Sequence, residues 1–334
     1  MCRRQRRSPT VATRSSTRGP DTRDDACGTT RIECLLRARS GRSRSRPTAI
    51  RLARDRRINH EQMGDSNVLT SAQTAHFRTF GFLTLRGVFN AAEMADITRE
   101  ANQVWQEDPK SQGHPYQIVV PFVEHRPRLA ELVDDDRIYL AIEDLLGSDF
   151  VWGGSEGHKG SFTDEGLLQW HTDRPQNEGA EYLRVKMMMY LEPMKKETGA
   201  LRVIPCSQDG RLREKLWALH EGQDSHAQTD ISLTAFGVTG PDLPCHALEV
   251  EPGDVVLFDD RLYHGIYGKQ EGRSFITTKY VKFATEPSSE EDFEVLRGND
   301  SGFGLIAEAF RNSQRPRIWG MVEKLRGWEE KLQG

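Results

Sequence analysis

Three side chains with metal-binding chemistry, two of them a residue apart and one far along the chain, constrain this sequence most. His171 and Asp173 stand in Gln169-Trp170-His171-Thr172-Asp173. His264 stands ninety-three residues beyond His171, in Arg261-Leu262-Tyr263-His264-Gly265. On a strand, side chains two apart share a face, so His171 and Asp173 would project together. An imidazole from a distant strand would complete a two-histidine, one-carboxylate face on a metal ion. That face leaves positions open and suits non-haem Fe(II) that must bind a co-substrate and oxygen. A fold that meets this demand must bring strands remote in sequence side by side. His-x-Asp alone occurs by chance in any chain of this size, so its context decides.

Arg273 is the first part of that context. Gly253-Asp254-Val255-Val256-Leu257-Phe258-Asp259 reads as a turn running into a strand that carries on to His264. Ser274 to Val281 reads as the next strand, rich in β-branched and aromatic residues, and Gly265, Gly268 and Gly272 punctuate the loop between them. A symmetric hairpin around residues 268 and 269 would set His264 opposite Arg273, on one face of the sheet. A guanidinium beside a metal-binding imidazole repels the metal unless an anion lies between them. Its fork of donors fits a carboxylate. The plain alternative is a surface arginine on a hairpin.

The second part is Tyr190-Leu191-Glu192-Pro193 followed by Glu197-Thr198-Gly199-Ala200-Leu201-Arg202-Val203-Ile204-Pro205-Cys206-Ser207. With these motifs in order, the chain resembles the phytanoyl-CoA dioxygenase family of iron and 2-oxoglutarate oxygenases from about Phe77 to Phe283. Cys206 and Gln208 depart from the family's glycine and histidine, in a loop after a strand, where they bear on turn geometry and substrate contacts. The resemblance implies Fe(II) held by His171, Asp173 and His264. It implies 2-oxoglutarate chelating that iron, with its far carboxylate on Arg273, and O2 as the other co-substrate. Gln169, on the face of His171 and Asp173, is placed to donate to a bound acid or to be an ordinary polar barrel position. Thr198 or Ser274 would add a hydroxyl contact, and Lys159, Lys186 and Lys279 are the other cations placed to hold the carboxylate. Because Asp173 is present, hydroxylation of an unactivated C–H bond of a small molecule is expected over halogenation. The rival readings are a metal-bound cupin that does not use 2-oxoglutarate and a catalytically silent member acting as a binding protein.

Charge is split along the chain. Residues 1–60 hold 17 arginines, no lysine and five acids, a net of +12, so the remainder carries −16 to give the overall −4. This opening is rich in Ser and Thr and lacks helical or strand periodicity, so residues 1–62 are expected to be disordered. A nucleic-acid arm and a mitochondrial transit peptide are the functional readings. We favour a third, that Met63 is the true start and the arginines reflect nucleotide bias. Nucleic acid is not expected as a partner, no apolar run is long enough to cross a bilayer, and the oligomeric state is not legible. Cys2, Cys27 and Cys34 lie in the opening segment. Cys206 and Cys245 alone remain for the rest, without zinc or disulfide spacing, which places the chain in a reducing cytoplasm.

Residues 63–334 read as a single Fe(II)/2-oxoglutarate dioxygenase domain. Thr70-Ser71 and Asn90 cap helices, the second running to about Glu107 with Met94, Ile97, Ala101 and Val104 as its apolar stripe. Asp136 to Leu146 is a third helix. Strands are expected near 149–153, 167–173, 183–191, 200–204, 246–250, 254–264 and 274–284, with a helix at 212–220. Pro316 opens a last helix packing through Trp319, Val322, Leu325 and Trp328. Short strands preceded by helices point to a mostly β fold with flanking helices, a double-stranded β-helix of the jelly-roll or cupin-like kind. Met187-Met188-Met189 reads as alternating core rather than a soft-metal box. Glu290-Glu291-Asp292 reads as a solvated first turn of a helix.

Overall fold

A computed structural model describes residues 68–110, 113–160, 168–173, 182–220, 230–268, 272–286 and 306–333. The chain divides between Gln62 and Met63, and the described residues all lie in the second unit. The expectations for residues 1–62 and for Glu290-Glu291-Asp292 fall outside the described residues.

The early helices form where their caps predict. Thr70 opens α1 (Ser71–Phe80) with a reciprocal capping box to Gln73, and Gly81 ends it in the left-handed conformation at φ 83°. β1 (Phe82–Leu85) follows. Asn90 opens α2 (Ala91–Glu107), paired with Glu93, and the helix buries Met94, Ile97, Ala101, Val104 and Trp105. β2 (Tyr116–Val119) and α3 (Pro127–Asp134), two short elements absent from the sequence reading, come next. α4 (Asp136–Leu146) then leads into β3 (Val151–Gly160), which runs well past its expected end.

The remaining strands are β4 (Leu168–His171), β5 (Tyr182–Tyr190), β6 (Leu201–Val203), β7 (His246–Ala247), β8 (Val255–Asp259), β9 (His264–Ile266) and β10 (Ser274–Phe283). Between β6 and β7 lie α5 (Gly210–Lys215) and α6 (Ile231–Phe236), and helices Glu308–Arg311 and Pro316–Gln333 close the chain. A six-stranded sheet has the order β1-β8-β5-β10-β3-β2, and a four-stranded sheet the order β4-β9-β6-β7. Every pairing in both ladders is antiparallel. The inner faces of the two sheets share one core, with Met188, Tyr190, Phe258 and Phe275 from the larger meeting Leu201, Val203 and Ile266 from the smaller. The outer face of the larger sheet is covered by helices, through Met187, Met189, Leu257, Ile276 and Tyr280 against Ile97, Leu132, Ile142 and Leu325. The three consecutive methionines therefore do alternate between two cores. This is the mostly β architecture with flanking helices that the sequence leads one to expect.

Two expectations are corrected. The strand foreseen from Asp254 to His264 is broken after Asp259, because Asp259 caps a turn. Its carboxylate accepts from Arg261 N at 3.0 Å and its carbonyl accepts from Leu262 N at 3.0 Å. Across this turn the chain leaves the larger sheet and enters the smaller one. β9 and β10 consequently belong to different sheets, and the hairpin that would pair His264 with Arg273 does not exist. In the closing helix the buried stripe is Ile318, Met321, Val322, Leu325 and Trp328, while Trp319 is on the exposed side. Val322, Leu325 and Trp328 are buried as expected, and Ile318 with Met321 takes the place foreseen for Trp319.

Candidate active site

His171 ends β4 and His264 begins β9, and the antiparallel ladder sets them directly opposite each other. Their ring centroids are 4.2 Å apart at 53°. Asp173, two residues beyond His171, brings Oδ1 to 3.9 Å from His171 Nε2 and Oδ2 to 3.6 Å from His264 Nε2. Among the described residues these three form the one group of His, Cys, Asp or Glu whose ligand atoms gather closely enough for a metal, all within 4.8 Å of one another.

Both imidazoles are oriented by the main chain. His171 Nδ1 lies 2.7 Å from Gln169 O and His264 Nδ1 2.8 Å from Leu262 O, in each case the carbonyl two residues back. A carbonyl can only accept, so each Nδ1 carries the proton and each Nε2 keeps its lone pair toward the cluster. Burial pulls the His171 pKa down to about 3, with His264 beside it adding to the effect. Burial likewise lowers His264. Both rings are thus neutral and ready to donate at neutral pH. Burial would raise the Asp173 pKa, but Lys186, followed by the two histidines, holds the carboxyl well below the usual range. Two neutral imidazoles and one carboxylate, the His264 ring buried and the other two partly accessible, fit a divalent first-row metal.

Asp173 is fixed by residues that periodicity does not reveal. Its N–H donates to Asp260 O at 3.1 Å, and its carbonyl accepts from Arg184 Nη2 at 3.3 Å. Arg184 Nε pairs with Asp260 Oδ2 at 2.9 Å, and Lys186 Nζ reaches Asp173 Oδ2 at 2.8 Å. The sequence signal was there to be found: Arg184-Val185-Lys186 puts two cations on one face of an otherwise apolar strand.

Arg273 is 1% exposed. It precedes β10 and projects from the larger sheet on the same side as Phe275, toward the shared core, so it reaches the interior from the sheet opposite His264. Its Nη2 makes a long contact of 3.4 Å to Gly160 O, while Nε and Nη1 have no hydrogen-bond partner among the described residues. A buried guanidinium with unsatisfied donors is costly unless an anion completes it. Gly199, at φ 97°, is the close approach that makes room for it. A Cβ there would stand 2.8 Å from Gly268 O and 2.9 Å from Arg273 Nη1. The Thr-Gly-Ala motif therefore shapes the arginine's berth.

The other expected site residues have protein partners. Gln169 is buried, and its Oε1 accepts from Ile231 N at 3.0 Å, tying β4 to the start of α6. Thr198 Oγ1 accepts from Lys195 N at 2.9 Å and closes a 3-10 turn. Ser274 Oγ donates to Glu192 Oε1 at 2.7 Å. Lys159 donates to Asn102 Oδ1 at 2.7 Å, and Lys279 pairs with Glu156. Trp170 packs away from the cluster with Tyr263 and Tyr267. Cys206 adopts φ 67°, the conformation that glycine takes without strain.

The sequence profile of the phytanoyl-CoA dioxygenase (PhyH) family matches residues 77–267, more than half of the chain, and the chain belongs to this family. It is a 2-oxoglutarate-dependent dioxygenase, a class that works with iron, 2-oxoglutarate and dioxygen. Ectoine dioxygenase from Sphingopyxis alaskensis is 24% identical over 232 residues, which span 63% of this chain and 74% of that protein. HygX from Streptomyces hygroscopicus, solved with nickel and 2-oxoglutarate bound, superposes with a TM-score of 0.50 and 22% identity, over 64% of this chain and 86% of that one. EctD from S. alaskensis, solved with 2-oxoglutarate and 5-hydroxyectoine, gives 0.47 and 20% identity, over 66% and 79%. No described helix is long and apolar enough to cross a membrane.

Proposed function

We propose that this chain hydroxylates an unactivated C–H bond of a small-molecule substrate, with His171, Asp173 and His264 as the iron ligands and Arg273 as the anchor of 2-oxoglutarate. The observation that carries the reading is the buried Arg273 guanidinium, whose Nε and Nη1 have no hydrogen-bond partner among the described residues, projecting toward the core that also packs against His264. Iron with 2-oxoglutarate bound supplies the oxidising power: dioxygen, 2-oxoglutarate and substrate R–H become succinate, carbon dioxide and R–OH. The protein's part is positional. His171 and His264 present Nε2 lone pairs in fixed tautomers, and Asp173 presents a carboxylate whose main chain is clamped on both sides. Arg273 offers two N–H groups to the far carboxylate, a charge-assisted pair worth roughly 1.5–3 kcal/mol. The surrounding apolar core of Phe258, Phe275 and Tyr190 keeps water from the reacting atoms.

HygX has been solved with hygromycin B bound and EctD with 5-hydroxyectoine; for this chain a panel of small polar metabolites is the first to try. The test is succinate release from the iron-loaded enzyme across such a panel, with hydroxylated product identified by mass. Substrate-stimulated succinate with an added oxygen atom in the product supports the reading. Product formation without 2-oxoglutarate would show a different metal-bound oxygenase.

A further inference from the structure

Three charged side chains, Glu156, Lys279 and Lys186, form a row across the inner face of the larger sheet, and Asp173 meets its end from beyond β4 of the smaller sheet. The register of β10 with β5 sets Lys279 directly opposite Lys186, and its register with β3 sets Thr277 opposite Glu156. All are buried. Two ammonium groups on paired positions repel each other, so each needs its own carboxylate. Lys279 takes Glu156, which also accepts from Thr277 Oγ1 at 3.3 Å and lies 3.2 Å from His158 Nε2. With Glu156 so occupied, Lys186 is left with Asp173, at 2.8 Å from Oδ2, and its ammonium lies 5.7 Å above the Phe258 ring. The row therefore reads acid, base, base, acid from Glu156 to Asp173; Lys186 feels the charge of Glu156 but makes its hydrogen bond to Asp173.

We propose that Lys186 is a positioning residue for the metal centre: it occupies Oδ2 of Asp173 and thereby limits that carboxylate to a single-oxygen bond to the metal. This rests on Asp173 being an iron ligand, as argued above. A carboxylate with both oxygens free can close on a metal through both and fill a position that a co-substrate needs. An ammonium at hydrogen-bond distance from one oxygen draws electron density from it and competes with that closure. The clamp on the Asp173 main chain by Arg184 and Asp260 fixes where the carboxylate starts. Lys186 fixes which way it faces.

The test uses cobalt(II) as the probe, bound anaerobically to the metal-free chain, in the wild type and in Lys186→Met and Lys186→Arg. Lys186→Met removes the ammonium but keeps the chain length. It is expected to give a visible cobalt band several-fold weaker, as the coordination number rises, and 2-oxoglutarate that binds at least tenfold less well. Lys186→Arg, which still donates to Oδ2, is expected to retain the wild-type band. An unchanged cobalt spectrum and unchanged 2-oxoglutarate affinity in Lys186→Met overturn the proposal and leave Lys186 a structural ion pair. X-ray absorption of the wild-type cobalt protein provides a reading that needs no variant. A carboxylate carbon at chelate distance from the metal overturns the proposal, and its absence supports it. Failure of the wild type to bind cobalt, with His171→Ala indistinguishable from it, instead refutes the triad itself.

Discussion

Replacing Arg273 by leucine should move two equilibria in opposite directions. In the chain without 2-oxoglutarate, the guanidinium is 1% exposed and leaves Nε and Nη1 without a hydrogen-bond partner among the described residues. An apolar side chain of lesser length removes that burden. Exchanging buried charge for apolar contacts is typically neutral or stabilising by ~1–4 kcal/mol. At ~2–4 °C per kcal/mol for a domain of this size, the melting temperature of Arg273→Leu without 2-oxoglutarate should rise by several degrees. Binding of 2-oxoglutarate should weaken by the lost charge-assisted pair, ~1.5–3 kcal/mol, which is roughly a 10- to 150-fold increase in Kd. Iron affinity should not change, because Arg273 enters from the sheet opposite His264 and touches no ligand. The assay is thermal melting with and without 2-oxoglutarate, beside iron titration of the same preparations. The wild type should gain stability on adding 2-oxoglutarate, and the variant should gain far less. A lowered melting temperature without 2-oxoglutarate, together with unchanged 2-oxoglutarate affinity, would refute the assignment of Arg273 as an anion anchor.

Three further outcomes follow from the same geometry. His264→Ala should take bound iron from one per chain to none and abolish turnover, measured by metal analysis after desalting; retained iron would exclude the triad. Gly199→Ala should cost ~1–3 kcal/mol from the positive φ and the contact with Gly268 O, and should raise the KM for 2-oxoglutarate by displacing Arg273, while iron stoichiometry stays at wild type. At Cys206, where φ is 67°, glycine should stabilise by ~0.5 kcal/mol, because relief of ~1 kcal/mol of left-handed strain exceeds the entropy gained by the unfolded chain. Valine there should destabilise, and equal melting points for the glycine, cysteine and valine chains would show that the loop carries no strain.

Much of the site was legible because its chemistry is local. His171 and Asp173 are two apart, and both histidine tautomers are set by a carbonyl two residues back, a relation contained in each short segment. The helix caps at Thr70 and Asn90 were legible for the same reason, since each is a contact within three residues. The protein partners of Thr198, Ser274 and Gln169 were not. Each found a partner, Lys195, Glu192 and Ile231, that satisfies its polar group within the protein. Such pairing depends on where a loop settles. Trp319 failed as a core residue because one helical position separates a buried stripe from an exposed one, and only packing against the other helices and the larger sheet selects between them.

The sequence by itself determined the donors, their alternation on strands, the capped helices and the family motifs, because these rest on side-chain chemistry and on periodicity over a few residues. Only the tertiary structure decided that the chain changes sheet between Asp259 and His264. That one turn puts Arg273 across the core from the triad rather than beside it. It also decided that Arg184, Lys186 and Asp260 would converge on Asp173. Alternation tells which face of a strand a residue occupies but is silent on which sheet the strand joins. Sheet membership is settled by non-local ladders and by the burial each strand gains on joining one sheet or the other.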